Sequence, residues 1–324
     1  MADDIQWRPD ASLANLRLRA GMLAQVRQFF TDRDVLEVET PLLCQATGTD
    51  PHLEALALEL TPGDLRFLHT SPEFAMKRLL AAGSGPIYQL CKTFRQDETG
   101  QRHNPEFTML EWYRPGFDDH RLMDEVEALT RACLPSDVFA GQATIPRIPY
   151  RELFRRTLAL DLLFASDKEL LACVEQYTDV GEMALSRDDT LHLLMSLAIE
   201  PRLREPVFVT EFPASQAALA QVTQDDEGGA VARRFELFVG GMELANGYLE
   251  LTDNTEQSRR FDADNRQRQR AGLPVRAADT RLLAALAHGL PPSAGVALGF
   301  DRLVMLAAGA GHIREVISFV ADNA

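Results

Sequence analysis

Two apolar runs folded around a polar centre, from about residue 86 to 113, constrain this chain more than any other stretch. Ile87, Tyr88 and Leu90 lead into Thr93-Phe94-Arg95-Gln96-Asp97-Glu98, and His103-Asn104-Pro105-Glu106-Phe107-Thr108-Met109-Leu110-Glu111 returns. The pattern predicts an antiparallel pair joined at a hairpin. Arg95 stands where the first strand ends, and acids stud the second. A guanidinium fork there suits a phosphate or a carboxylate, and the returning acids suit an ammonium group. Taken alone, a hairpin arginine is more often a plain surface residue.

The rest of the chain reads as helices around strands. Leu13, Leu16, Ala20, Leu23, Val26, Phe29 and Phe30 predict an amphipathic helix over 13–33. Val35 to Thr40 alternates apolar and acidic residues, as a half-buried strand does, and Pro41 ends the pairing. Leu56 to Leu60 is a further strand candidate. Ser or Thr in Thr70-Ser71-Pro72-Glu73 caps a helix running to about Ala82, which Gly83 and Gly85 close. Residues 121–134 read as a helix and 145–205 as mostly helical, the latter without visible chemistry. Phe208 to Phe212 is a strand, and Phe235 to Leu251 holds two strand-like runs around Ala245-Asn246-Gly247. Residues 255–271 form a charged helix, and a small-residue strand from Val296 to Phe300 precedes a helix from Asp301. No repeat or linker interrupts the chain. The expectation is one α+β domain over residues 1–324, a mostly antiparallel sheet flanked by helices, with 1–12 as a tail.

The formal charge of −15 bears on partners. Proteins that grip a nucleic-acid backbone gain affinity from cations, so tRNA is a poor default partner. Cys44, Cys91, Cys133 and Cys173 are scattered, with no CxxC pair, which suits a reducing compartment and offers no zinc site. No apolar run approaches the ~20 residues of a membrane span. The acidic start, Met1-Ala2-Asp3-Asp4-Ile5, is unlike a secretory leader, so a cytoplasmic chain is expected.

Two further constellations point to chemistry. Glu243 and Glu250 lie an odd number of residues apart, on opposite faces of an unbroken strand. A bulge at Asn246-Gly247 would turn both to one side, where two acids want a cation such as Mg²⁺ or a substrate ammonium. Two exposed strand acids is an equally good reading of the spacing. In Gly295-Val296-Ala297-Leu298-Gly299-Phe300-Asp301-Arg302, small residues clear one strand face for a flat ligand, and Arg302 stands beside it. Tight helix–sheet packing explains such a strand as well.

In this order, the strand ending at Pro41, the Arg95 hairpin and the Gly/Ala strand with Arg302 resemble motifs 1, 2 and 3 of the class II aminoacyl-tRNA synthetases. Thr70-Ser71-Pro72-Glu73, His103 to Thr108 and Glu243-Leu244-Ala245-Asn246-Gly247 look lysyl-type. The resemblance runs from about residue 13 to 320. With motif 1 ending at Pro41, no room precedes it for an anticodon-reading barrel, and the chain looks like the stand-alone lysyl-type paralogues that modify elongation factor P. Ala297, where lysyl-tRNA synthetases usually have glycine, agrees with that group.

The resemblance implies ATP and Mg²⁺ as cofactors, lysine or preferentially (R)-β-lysine as the activated substrate, and elongation factor P as the acceptor. It implies that Arg95 bridges the substrate carboxylate and the α-phosphate, and that Arg302 holds the γ-phosphate and covers the adenine opposite Phe107. Gln96, Asp97, Asn104, Leu244 and Gly299 would complete the ATP site, with Glu243 and Glu250 on the metal. Ser71, Pro72, Glu73, Glu111, Tyr113, Asn246, Glu250 and Ala297 would line the lysine pocket. Asp97 departs from the family's usual glutamate, and Glu98 is its possible substitute. Motif 1 implies a homodimer. The arginines at 259, 260, 266, 268 and 270 read first as a solvated face and second as a guide for an acidic acceptor. The rival readings are a truncated synthetase that acylates another acceptor and a silent regulatory paralogue.

Overall fold

The computed structural model describes residues 7–96, 98–181 and 185–324. In chain order its strands are β1 (Leu36–Glu37), β2 (Leu43–Cys44), β3 (Ala57–Glu59), β4 (Leu65–Leu68), β5 (Ile87–Phe94) and β6 (Glu106–Pro115). They continue with β7 (Arg147–Pro149), β8 (Val207–Pro213), β9 (Val222–Gln224), β10 (Ala230–Val239), β11 (Met242–Leu249) and β12 (Ser293–Gly299). The helices are α1 (Leu13–Thr31), α2 (Glu73–Ala81), α3 (Asp119–Cys133), α4 (Tyr150–Leu158) and α5 (Asp167–Val174). After them come α6 (Arg187–Leu194), α7 (Asn254–Arg270), α8 (Thr280–Gly289) and α9 (Phe300–Ala308). The chain divides into two compact units, one of residues 1–117, 128–134 and 251–324, the other of 118–127 and 135–250.

In the first unit the sheet order is β1-β5-β6-β12, and β2-β4-β3 form a separate small sheet. The β5–β6 and β12–β6 pairs are antiparallel, while β1 joins β5 in parallel. Leu110 and Trp112, on the even-numbered side of β6, face a buried core. Both are fully buried there, and Phe30 of α1 stacks on Tyr88 at 4.3 Å between ring centroids. Asp301, at the start of α9, locks this layer. Its carboxylate accepts the Thr108 backbone N–H at 2.7 Å and pairs with Arg19 of α1, whose other nitrogen donates to Thr108 Oγ1. The odd-numbered face of β6, carrying Phe107, Met109, Glu111 and Tyr113, lies opposite Thr93, Cys91, Gln89 and Ile87 on one side and Gly299, Ala297 and Gly295 on the other.

In the second unit β11-β10-β8-β7 follow one another, with β9 also on β10. Residues 145–205 are mostly helical as expected, although β7 adds a short strand. Tyr150, Phe154 and Leu191 from this stretch share one hydrophobic cluster with Val209, Phe212 and Phe238 of the sheet. Antiparallel pairs flanked by helices thus build each unit, the α+β architecture that the sequence led us to expect.

Local details differ from the sequence expectation. The first strand is only Leu36–Glu37 long, because a single parallel neighbour pairs it before Pro41. At α2 the cap position is Pro72, and Ser71 Oγ accepts the Glu73 N–H at 3.3 Å. The break in the 235–251 stretch falls at Gly240-Gly241, not at Asn246-Gly247. Both glycines have positive φ (60° and 70°), as a two-residue hairpin turn requires, and a Cβ on Gly241 would meet the Glu200 carbonyl at 2.9 Å. Asp10, in the stretch read as a tail, accepts from Val320 N and Asn323 Nδ2.

Candidate active site

The odd-numbered face of β6 and its β12 neighbour bring together Phe107, Glu111, Tyr113, Ala297 and Gly299 of the sequence-derived candidates. Val296 and Leu298 of β12 are buried, whereas Ala297 and Gly299, which alternate with them, are half-buried. Ala297 pairs with Glu111, which pairs in turn with Gln89, so a methyl group is all that stands across from the acid on β12. Glu111 is 2% exposed, and its Oε1 accepts the Tyr113 hydroxyl at 2.7 Å. Burial, and then the Glu111 charge, push the neighbouring Cys91 thiol up to about 12. A thiol so raised stays protonated and is no nucleophile. Glu73, one turn before Lys77, pairs with that buried ammonium at 2.7 Å.

The end of β5 presents Arg95. Its N–H donates to the Pro105 carbonyl, its Nη1 donates to Glu98 Oε1 at 3.2 Å, and its guanidinium lies 5.1 Å from the Phe107 ring centroid. Gln96 follows, exposed, with its N–H on the Glu54 carbonyl at 2.9 Å. Asp97 lies outside the described residues. Asn104 is committed to the backbone: Nδ2 donates to Glu106 O at 2.6 Å, and Oδ1 accepts from Ala321 N. Arg302, from α9, has its side chain against the Gly299 position and its Nη2 at 2.7 Å from His103 Nε2. His103 at the hairpin tip was absent from the sequence candidates.

The second unit carries the paired acids. Along β10 and β11, Arg234 faces Tyr248, Glu236 faces Asn246 and Leu237 faces Ala245, but Phe238 faces Glu243. Leu244 is therefore the residue outside the register, a β-bulge. This corrects the expected bulge at Asn246-Gly247, both of which are regularly paired; the larger side chain sits at the irregularity because Leu244 is buried. The bulge resets the alternation, so Glu243, Asn246 and Tyr248 share a face that the period of two continues to Glu250. Glu250 is 1% exposed.

Glu236, which sequence reasoning missed, belongs to the same face. Arg234 bonds its carboxylate, donates to Gln216 O at 2.8 Å and reaches Asn246 Oδ1 at 3.3 Å. Burial pushes the Glu236 carboxyl up against the pull of Arg234, and Glu243 and Glu200 push it further. Burial alone would lower Arg234; Glu236, Tyr248 and Glu243 hold it firmly charged. The alternation Arg234-Phe235-Glu236 was the available signal, but it gains meaning only once β10 is aligned with Asn246. Carboxylate oxygens are the donors that a hard divalent cation takes, and Glu243 and Glu236 present them on one face.

Among the described residues, no group of three or more His, Cys, Asp or Glu stands ready to hold a metal ion, and no helix is long and apolar enough to cross a membrane. The paired acids would have to share any cation with oxygens that are not the protein's own.

Comparison with known proteins gives two results. Residues 4–323 match the family model described as tRNA synthetases class II (D, K and N). Proteins named Elongation factor P--(R)-beta-lysine ligase match over full length: 49% identity over 333 residues for that of Edwardsiella ictaluri (strain 93-146), with 100% of each chain covered. The protein of that name from Erwinia tasmaniensis is 50% identical over 337 residues, again with 100% of each chain covered. That from Pseudoalteromonas translucida (strain TAC 125) is 51% identical over 327 residues, with 98% of each covered.

Proposed function

The chain belongs to the class II tRNA synthetases (D, K and N) and is a ligase, and from that premise we propose that it activates lysine, preferentially (R)-β-lysine, with ATP and transfers it to a lysine ε-amino group of elongation factor P. The observation that carries this reading is the full-length similarity, near 50% identity, to relatives named for that ligation. The buried Glu111–Tyr113 pair opposite Ala297 supports a pocket for a cationic side chain. A buried acid rejects uncharged competitors because they leave it without its charge partner.

The chemistry needs little proton transfer. The ionised substrate carboxylate attacks the α-phosphorus, an oxygen–phosphorus bond forms, and the bond to pyrophosphate breaks. The acceptor amine then attacks the carbonyl, AMP leaves with its oxygen, and the amine loses a proton as the amide forms. Positioning and charge stabilisation do the catalysis. Arg95 bridges carboxylate and α-phosphate and leaves Glu98 to do so; Arg302 leaves His103 for the terminal phosphate. Phe107, Gln96, Asn104 and the backbone at Leu244 and Gly299 complete the nucleotide site. Ser71, Pro72 and Glu73 take the substrate's amino group, and Glu111, Tyr113, Asn246, Glu250 and Ala297 surround the rest. Glu243 and Glu250 would hold Mg²⁺, which would supply positive charge to neutralise the phosphates.

ATP–pyrophosphate exchange with α-lysine, (R)-β-lysine and (S)-β-lysine tests the reading. The expected result is exchange with all arms dependent on Mg²⁺ and strongest with (R)-β-lysine; no exchange with any isomer would sink it. Transfer to purified elongation factor P, and none to tRNA, is expected in the second assay. We further propose one catalytic domain, acting in the cytoplasm as a twofold homodimer through the stretch ending at Pro41. Leu18 and Leu36 on that stretch, and Leu42 and Leu43 directly after it, are at least 37% exposed, which supports a covered face. Leu36→Asp is expected to convert a dimeric mass in light scattering to a monomeric one; a wild-type monomer would remove the dimer.

A further inference from the structure

We infer that Glu54, gripped by Arg268 and Arg276, is a positioning residue for Arg95. The inference rests on the proposed role of Arg95 in adenylation and extends it to a cluster that no motif contains. Glu54 lies in the loop between β2 and β3, far in sequence from its partners. Arg268, in the last turn of α7, donates Nη2 to Glu54 Oε2 at 2.5 Å, Nη1 to the Asp50 carbonyl at 3.1 Å and Nε to the Pro274 carbonyl at 2.7 Å. Its side chain is 0% exposed. Arg276 takes the other oxygen, Oε1, and packs 5.1 Å from the Phe67 ring centroid. Thr49 Oγ1, on the same loop, donates to Asp264 of α7 at 2.6 Å.

Burial pushes the Glu54 carboxyl up, but the bonds from Arg268 and Arg276 outweigh it and hold the group below its ordinary value. The carboxylate therefore stays charged and doubly bound at neutral pH. Its own carbonyl then accepts the Gln96 N–H at 2.9 Å, while the Arg95 N–H bonds the Pro105 carbonyl on the opposite side. The peptide that carries Arg95 is thus held between Pro105, just before β6, and a loop whose position the buried Arg268 and the half-buried Arg276 fix. Part of the arginine row of α7 serves this clamp. Arg259 and Arg260 are bound to Glu256, while Arg266 and Arg270 lie on the exposed side of the helix.

Glu54→Gln strands a buried arginine and risks misfolding, so Arg276→Gln is the primary variant. Arg276 keeps its backbone bonds to Asn265 whatever its side chain. Misplacing a catalytic group by a fraction of an ångström to 1 Å costs on the order of 10- to 100-fold in rate. Arg276→Gln is expected to lower kcat of ATP–pyrophosphate exchange at least about tenfold, with KM for lysine nearly unchanged, and Arg276→Lys to restore most of it. Amide hydrogen exchange at Gln96 should accelerate about tenfold in Arg276→Gln, while amides of β12 stay protected. Unchanged protection at Gln96, or a melting-point loss with unaltered kcat per folded molecule, overturns the clamp. If wild-type protein shows no exchange with any lysine isomer, the adenylation reading fails, and the Gln96 amide still decides whether the clamp exists.

Discussion

Arg95→Ala is expected to lower ATP–pyrophosphate exchange by about 10²- to 10³-fold, the range seen when one preorganised donor to a developing charge is removed. The loss should fall on kcat more than on KM for ATP, because the bridge between carboxylate and α-phosphate is complete only in the transition state. Stability should hardly move. The Arg95–Glu98 pair is partly exposed, with side chains 23% and 25% accessible, and pairs of that kind contribute about 0–1 kcal/mol. Arg95→Lys should rescue little, since a point charge lacks the planar fork that spans two anions. Exchange in the alanine variant within about tenfold of wild type would remove Arg95 from the reaction.

Asp301→Ala is expected to produce the second large effect, on folding. Asp301 is 2% exposed and joins α1, β6 and α9 through Arg19 and the Thr108 N–H. Removing one partner of a buried ion pair typically costs about 3–5 kcal/mol, because the other charge is left behind. Arg19 keeps a little solvent contact and its bond to Thr108 Oγ1, which places the expectation at the lower end. Asp301→Asn should lose less, as an amide oxygen can still accept from Thr108. Chemical denaturation read by tryptophan emission measures both; an alanine variant as stable as wild type would show that the junction is not what holds α1 to the sheet. Because Arg302 follows Asp301 directly, exchange activity should fall in the alanine variant even at temperatures where it stays folded.

The hairpin around Arg95 was legible in the sequence because its signals are local: apolar alternation, turn formers and an arginine at a strand end. The same holds for the small-residue strand, where Gly295, Ala297 and Gly299 lie opposite Tyr113, Glu111 and Met109. Long-range facts were not legible. Five arginines in one charged helix look alike as letters, yet Arg268 is fully buried and Arg259 exposed. What separates them is Glu54, 214 positions from Arg268, and no local pattern carries that pairing. The bulge was anticipated in kind and misplaced by two residues. Asn-Gly is a strong turn signal, but which residue drops out of register depends on the facing strand, where Leu237 and Phe238 are both fully buried. Glu236 was missed for the same reason: only the β10–β11 alignment sets it beside Asn246.

Leu244 gives the β10–β11 hairpin an odd property. The row of acids exists because one residue of β11 goes uncounted in the pairing, so parity is decided by an irregularity. Pairing that residue in register would leave a tidier hairpin, with every position of β11 matched to β10. It would also swing Glu243 to the opposite side from Asn246 and Glu250. By the usual rules of sheet design such a regular hairpin scores as an improvement. Regularity and a shared acid row are mutually exclusive here, and any attempt to harden this protein by smoothing its strands would disarm it first.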